Sequence, residues 1–138
     1  MIIDGTDLIM GRLATFVAKK SLLGEEVNVV NCEKVLITGT KKNIFAGYVR
    51  RMQMGIPTKG PFLQRAPDKI VKRAIRGMLP VKQEKGEKAY KRIRCYKGIP
   101  ESFKGEKIET VQTANISKIP NLKYMSVGEI SRLISGRQ

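Results

Sequence analysis

The residues best placed to do chemistry are basic, and they are concentrated between positions 50 and 97. They are Arg50 and Arg51, then Lys59 and Arg65, then Lys69, Lys72, Arg73 and Arg76, then Lys82, Lys85 and Lys91, and finally Arg92, Arg94 and Lys97. Phe62, Tyr90 and Tyr96 are interleaved with them. Lysine and arginine neutralise phosphates, and aromatic rings stack on exposed bases. That pairing of residue types suits a nucleic acid.

The distribution of charge supports this reading. The chain of 138 residues carries 27 Lys plus Arg against 12 Asp plus Glu, a net charge of +15. Residues 1–58 hold a net +3, residues 59–98 a net +10, and residues 99–138 a net +2. A charge serving only solubility would be spread more evenly. An excess of this size favours an anionic partner but says nothing about fold. Hydrophobic residues make up 41%, too many for a disordered basic tail.

Other chemistries find few parts. There is no histidine, so the usual general base near neutral pH and the commonest metal ligand are both missing. Cys32 and Cys95 form no CxxC pair, and four-ligand zinc sites cannot be built from them. They are expected to be buried free thiols in a reducing compartment. Asp4 and Asp7 stand where an α/β fold often places an active site, and paired carboxylates can do acid–base work or bind magnesium. Asp4-Gly5 is also a common turn, and that is the reading preferred. Gly39-Thr40-Lys41-Lys42 has one glycine where a P-loop needs two. It could still hold one phosphate at a helix start. No catalytic residue, cofactor, metal or small-molecule substrate is expected. No signal peptide is expected at the N-terminus and no apolar run approaches about 18 residues, so neither export nor a membrane partner is expected. A cytoplasmic location follows as the default.

The elements that must position the basic residues read as an α/β chain. At this length a single domain spanning 1–138 is expected. Residues 2–3 form a short buried strand, and residues 10–23 form a helix burying Leu13, Phe16, Val17 and Met10, with Gly24 past its end. Residues 26–31 form a valine-rich strand and residues 35–37 another apolar run. A helix follows over 41–52 with Thr40 as its N-cap. The order strand, helix, strand, helix predicts parallel strands and right-handed crossovers. Residues 53–66, broken by Gly55, Pro57, Gly60 and Pro61, read as a long loop of the kind that is often functional.

The central helix lies between Ala66 and Pro80. Pro67 suits its first position and Asp68 its first turn. Ile70, Val71, Ala74, Ile75 and Met78 share one arc, while Lys69, Lys72, Arg73 and Arg76 share the opposite one. Residues 81–89 read as a solvated polar connector. Residues 92–96 alternate as a strand should, turning Arg92, Arg94 and Tyr96 to one face. A further strand is expected within 107–113. Ser126 and Glu129 make a capping box opening a last helix, with Val127, Ile130, Leu133 and Ile134 buried and Gly136 closing it. Because the cations come from helix, loop and strand alike, and no helix-turn-helix, zinc finger or basic zipper is present, folded RNA fits better than duplex DNA.

Several segments together resemble one family. Ile2-Ile-Asp-Gly, Met10-Gly-Arg-Leu-Ala14, Val29-Val-Asn-Cys-Glu-Lys-Val-Leu-Ile-Thr-Gly39 and Ile75-Arg-Gly-Met-Leu-Pro80 are similar to segments of the large-subunit ribosomal protein thirteen family, in the same order and at matching spacing. The basic segment between Met52 and Arg65 resembles the archaeal and eukaryotic-cytosolic branch, and an end at Gln138 favours the archaeal type. The resemblance implies a three-layer α/β/α fold with a mostly parallel four-stranded sheet and a basic loop and helix extension. It also implies a non-enzymatic role in the large ribosomal subunit: binding its RNA, touching neighbouring ribosomal proteins and aiding assembly. Two other readings of the residues stay open here. One is a small nucleotide-dependent α/β enzyme using Asp4, Gly39 and Lys41; the other is a DNA-associated basic protein.

Overall fold

A computed structural model describes residues 1–120 and 122–136. Its elements are β1 (Ile2–Asp4), α1 (Met10–Leu22), β2 (Val27–Val30), β3 (Leu36–Thr38), α2 (Lys41–Gln53), α3 (Pro67–Arg76), α4 (Glu84–Lys91), β4 (Ile93–Cys95), β5 (Ile108–Glu109), β6 (Tyr124–Ser126) and α5 (Val127–Ser135). Four strands form a parallel sheet in the order β4-β2-β1-β5. With its helices this is the expected α/β architecture, in keeping with a three-layer α/β/α fold.

The residues explain the sheet. Ile3, Val27, Val29, Val30 and Ile93 are fully buried. Strands covered on both faces need such continuous apolar runs, which is what parallel sheets require. Helix α1 buries Leu13, Ala14, Val17, Ala18 and Ser21, a stripe at helical spacing, whereas Phe16 and Met10 sit at its partly covered edge. Gly24 follows with φ +102°, the left-handed conformation that suits glycine after a helix end. The Ser21 hydroxyl donates to the Ala89 carbonyl, fastening α1 to α4.

The β3 run leaves the parallel sheet. It pairs antiparallel with β6, Leu36 facing Ser126 and Thr38 facing Tyr124. The capping box then opens α5: Glu129 N–H donates to Ser126 Oγ at 3.1 Å, and Ser126 N–H donates to Glu129 Oε2 at 3.4 Å. Val127, Ile130 and Ile134 are buried as expected, but Leu133 is 46% exposed. At 100° per residue it lies about 60° beyond the edge of the stripe formed by the other three. Met125, Ile130 and Ile134 form a second apolar cluster with Ile44, Tyr48 and Met52 of α2.

The polar run over 81–89 is not a loose connector. From Glu84 it forms α4, with Glu84–Lys88 and Glu87–Lys91 pairs at i,i+4 spacing. Gly86 lets the helix sit on the preceding turn, since a Cβ there would lie 2.1 Å from the Pro80 carbonyl oxygen. The strand expected within 107–113 contracts to two residues, followed by a 3-10 turn over Gln112–Ala114. Thr40 does stand at the N-cap of α2, but its side chain makes no capping bond.

Asp4 is spent on structure. Its Oδ1 accepts from the Thr6 N–H at 3.0 Å, the Thr6 hydroxyl at 2.7 Å and the Asn31 side-chain amide at 2.9 Å. Burial pushes this carboxyl up, but the hydrogen bonds from Asn31 and Thr6, with help from the Lys34 charge, leave it below its ordinary value. A depressed carboxylate stabilises the fold above the unfolded-state pKa, and that contribution disappears as pH falls through the folded value. Asp4→Asn is therefore expected to cost about 1 kcal/mol at pH 7, a modest figure because half-exposure screens the charge. It should also flatten the loss of stability between about pH 5 and pH 2. Urea melts of both proteins across that range check this; parallel curves would show that Asp4 is an ordinary surface acid.

Candidate nucleic-acid interface

Helix α3 divides its residues as its spacing requires. Ile70, Val71 and Ile75 are buried, Ala74 is half-buried, and Lys69, Arg73 and Arg76 are exposed. Met78 departs from the expected arc. The helix ends at Arg76 with Gly77 as its cap, so Met78 swings out to 44% exposure, where its Sδ lies 3.3 Å from the Thr15 hydroxyl.

Across from the cations of α3 stands α4, and between the two lies a concavity of about 560 Å³. Lys69, Lys72, Arg73 and Arg76 all line it, with Gln64, Val81, Glu87 and Tyr90 completing the wall. The Lys72 ammonium sits 4.9 Å from the centre of the Tyr90 ring, a cation–π contact that holds this chain half-buried. Glu87, the one acid among the described lining residues, is bound to Lys91 at 2.8 Å. The hydrogen bond from Lys91 and the charge beside it hold the Glu87 carboxyl below its usual range, so it stays ionised and paired. None of the four α3 cations has a carboxylate partner among the described residues. Four positive charges that make no ion pair among the described residues thus converge on a hollow that can receive phosphate oxygens.

A second hollow adjoins the first and shares Gln64 and Arg73 with it. It lies between α2, the 53–66 segment and α3, and Arg51 stands at its α2 side, 5.5 Å over the Tyr48 ring. The expected loop begins at Met54, since Gln53 closes α2, and is turned tightly at its tip where the Gly60 N–H donates to the Ile56 carbonyl at 2.9 Å. Lys59 is exposed on that tip and Arg65 is exposed at the loop's end, with its carbonyl accepting from the Ser131 hydroxyl.

The remaining basic residues are less concentrated. Arg50, Lys82, Lys85, Arg94 and Lys97 are exposed but line neither hollow. Lys91 is paired with Glu87, and Arg92 is half-buried with Nη1 donating to the Ser21 carbonyl at 3.3 Å. Lys91 and Arg92 are hydrogen-bonded within the protein, whereas the α3 cations make no ion pair among the described residues and Lys72 meets the Tyr90 ring. Tyr96 packs edge-on against Phe103 with ring centres 5.4 Å apart. Of the three aromatics singled out from the sequence, Phe62 alone stands 67% exposed. Sequence reasoning missed Tyr48, whose i,i+3 spacing to Arg51 on one helix was the available signal.

Residues of the other candidate chemistries have partners within the protein. Asp4 Oδ1 accepts three hydrogen bonds from Thr6 and Asn31, and Lys41 pairs with Glu129 at 3.2 Å. Cys32 and Cys95 are free thiols, Cys32 buried as expected but Cys95 only half-buried. The hydrogen bond to Cys95 and burial together push the Cys32 thiol far above its ordinary range, which makes it a poor nucleophile. No described helix is long and apolar enough to cross a membrane.

Comparison with known proteins decides the family. The profile of the family described as ribosomal protein L13 matches residues 1–102. The chain belongs to the ribosomal protein L13 family. Curated relatives extend the likeness to nearly the whole chain. It is 40% identical over 137 residues to the large ribosomal subunit protein uL13 of Archaeoglobus fulgidus, covering 99% of this chain and 88% of that protein. Against uL13 of Methanococcoides burtonii the identity is 40%, covering 99% and 98% of the two chains. Against uL13 of Methanococcus maripaludis it is 42%, again covering 99% and 98%. These L13 relatives are archaeal, in line with what the 52–65 segment implied.

Proposed function

We propose that this L13 family member is a structural constituent of the large ribosomal subunit, acting as one domain over residues 1–138. It binds large-subunit ribosomal RNA through a basic surface and helps the subunit assemble beside neighbouring ribosomal proteins. The observation that carries this reading is the hollow between α3 and α4, where four cations converge without an ion-pair partner among the described residues, the lining Glu87 being paired with Lys91. A protein could not hold such a group of like charges in one place without a cost from self-repulsion, and a phosphate backbone removes that cost. Lys69, Lys72, Arg73 and Arg76 make the central contacts. Arg50, Arg51, Lys59, Arg65, Lys82, Lys85, Arg94 and Lys97 widen the footprint, and Lys91 and Arg92 lie at its margin. The role is architectural and requires no catalytic group, and its place is the cytoplasmic ribosome.

The test is sedimentation of native particles through a high-salt cushion. The protein should remain with the large subunit. Release into the soluble fraction, or equal affinity for random duplex DNA and for ribosomal RNA, would overturn the reading.

A further inference from the structure

The hollow beside the phosphate site is chemically unlike it. Its floor and sides are apolar, built from Phe62, Leu63, Ile70, Ala74 and Tyr48 among others, and its volume is about 470 Å³. That lies within the range of about 300–1,000 Å³ typical of sites that enclose a small molecule. Its polar members among the described residues are Gln64, Tyr48 through its hydroxyl, and two arginines, Arg51 and Arg73, and no described carboxylate lines it. Phe62 leaves two-thirds of its surface open to solvent, an unusual exposure for a phenylalanine.

An apolar slot flanked by two guanidinium groups suits a ligand that is flat, aromatic and anionic at its edge. We propose that this groove receives one unstacked base of the bound RNA, resting on the reading of the adjoining surface as an RNA site. The base lies against Phe62 and over Leu63 and Ala74. The phosphate attached to it meets Arg73, which lines both hollows and so joins base recognition to backbone neutralisation. Arg51, held over Tyr48, closes the other side and adds a second cation to the slot. An apolar peptide side chain would fill the floor equally well, but it would leave both arginines unanswered. The charge of the slot therefore favours a nucleotide. A base that must leave its stack to enter comes from a bulge, loop or single strand, so the groove reads irregular RNA in preference to uninterrupted duplex.

The chain contains no tryptophan, so Phe62→Trp introduces a single reporter. Two probes separate base from charge: hexa-adenylate, and inorganic polyphosphate of matched charge. Hexa-adenylate should quench the new fluorophore, whereas polyphosphate should bind without quenching. Phe62→Ala should weaken hexa-adenylate binding about 5- to 150-fold, the range expected for losing one base–aromatic stack, and leave polyphosphate binding unchanged. Arg73→Ala should weaken both. If both probes bind, emission is unmoved and Phe62→Ala behaves as the parent protein, the base pocket is refuted while the phosphate surface stands. If neither probe binds even at low salt, the RNA reading itself fails and takes the pocket with it. If Phe62→Ala spares RNA binding yet blocks incorporation into reconstituted large subunits, the groove holds a neighbouring protein, and the base proposal is wrong.

Discussion

Ile75→Ala should lower the unfolding free energy by about 2–5 kcal/mol, while Arg73→Ala and Arg76→Ala on the same helix should leave it almost untouched. Ile75 is fully buried in the main core, among residues of α1, α3 and the parallel sheet. Removing its methyl and methylene groups forfeits their transfer free energy and leaves a cavity that rigid neighbours cannot fill. Against a total stability of about 5–15 kcal/mol this is a large fraction. The arginines are exposed and have no carboxylate partner among the described residues, so deleting either breaks no ion pair. Lys69, Lys72, Arg73 and Arg76 are related by i,i+3 and i,i+4 spacing, and relieving such like-charge pairs returns about 0.2–0.5 kcal/mol each. A slight rise in melting temperature is therefore the expected sign. Thermal melts of the three variants decide this. Unfolding caused by either arginine change would make it a buried structural partner and reverse the assignment of faces.

The affinity for ribosomal RNA should fall about 10³- to 10⁵-fold between 50 and 200 mM salt. The reason is the net +10 held within residues 59–98. Lys88, Lys91 and Arg92 already have partners inside the protein, and the other cations of that segment make no ion pair among the described residues. Neutralising roughly six to ten phosphates gives a log–log slope of about −5 to −9, because each contact releases condensed counterions. Arg73→Ala and Arg76→Ala should each reduce that slope by about one. Filter-binding titrations at several salt concentrations measure it. A slope near zero would show that recognition rests on shape and stacking alone.

Local signals in the sequence were legible where one short segment decides the outcome. The boundaries of α1 and α2 fall within a residue of those predicted, and both bonds of the Ser126–Glu129 capping box form. These features depend on neighbours three or four positions apart. The antiparallel pairing of β3 with β6 joins segments more than 80 residues apart, and no periodicity within either one encodes a partner. Helix α4 was hidden because its lysines and glutamates read as a solvated run, although their i,i+4 order is what stabilises it. The face of Lys69, Lys72, Arg73 and Arg76 could be read from α3 alone. The concavity it forms with Tyr90, and the slot uniting Tyr48, Phe62 and Ala74, are products of tertiary packing and had no signal in any one window.

The clustering of α2 against the end of the chain has a consequence for synthesis. Helix α2 contains no fully buried side chain of its own, and Ile44, Tyr48 and Met52 find cover on Met125, Ile130 and Ile134. A nascent chain emerges N-terminus first, so α2 is made about 70 residues before that cover exists. At about 5–20 residues per second the delay is roughly 4–14 s. Helix α3 packs on α1, which precedes it, as well as on β4 and α5. The cationic face of α3 is therefore available to RNA while Tyr48 and Arg51, one wall of the neighbouring slot, still lack the cluster that holds them. The two hollows are therefore expected to mature in sequence: the face of α3 supported by α1 first, and the slot beside Tyr48 only after residues 124–135 have been translated.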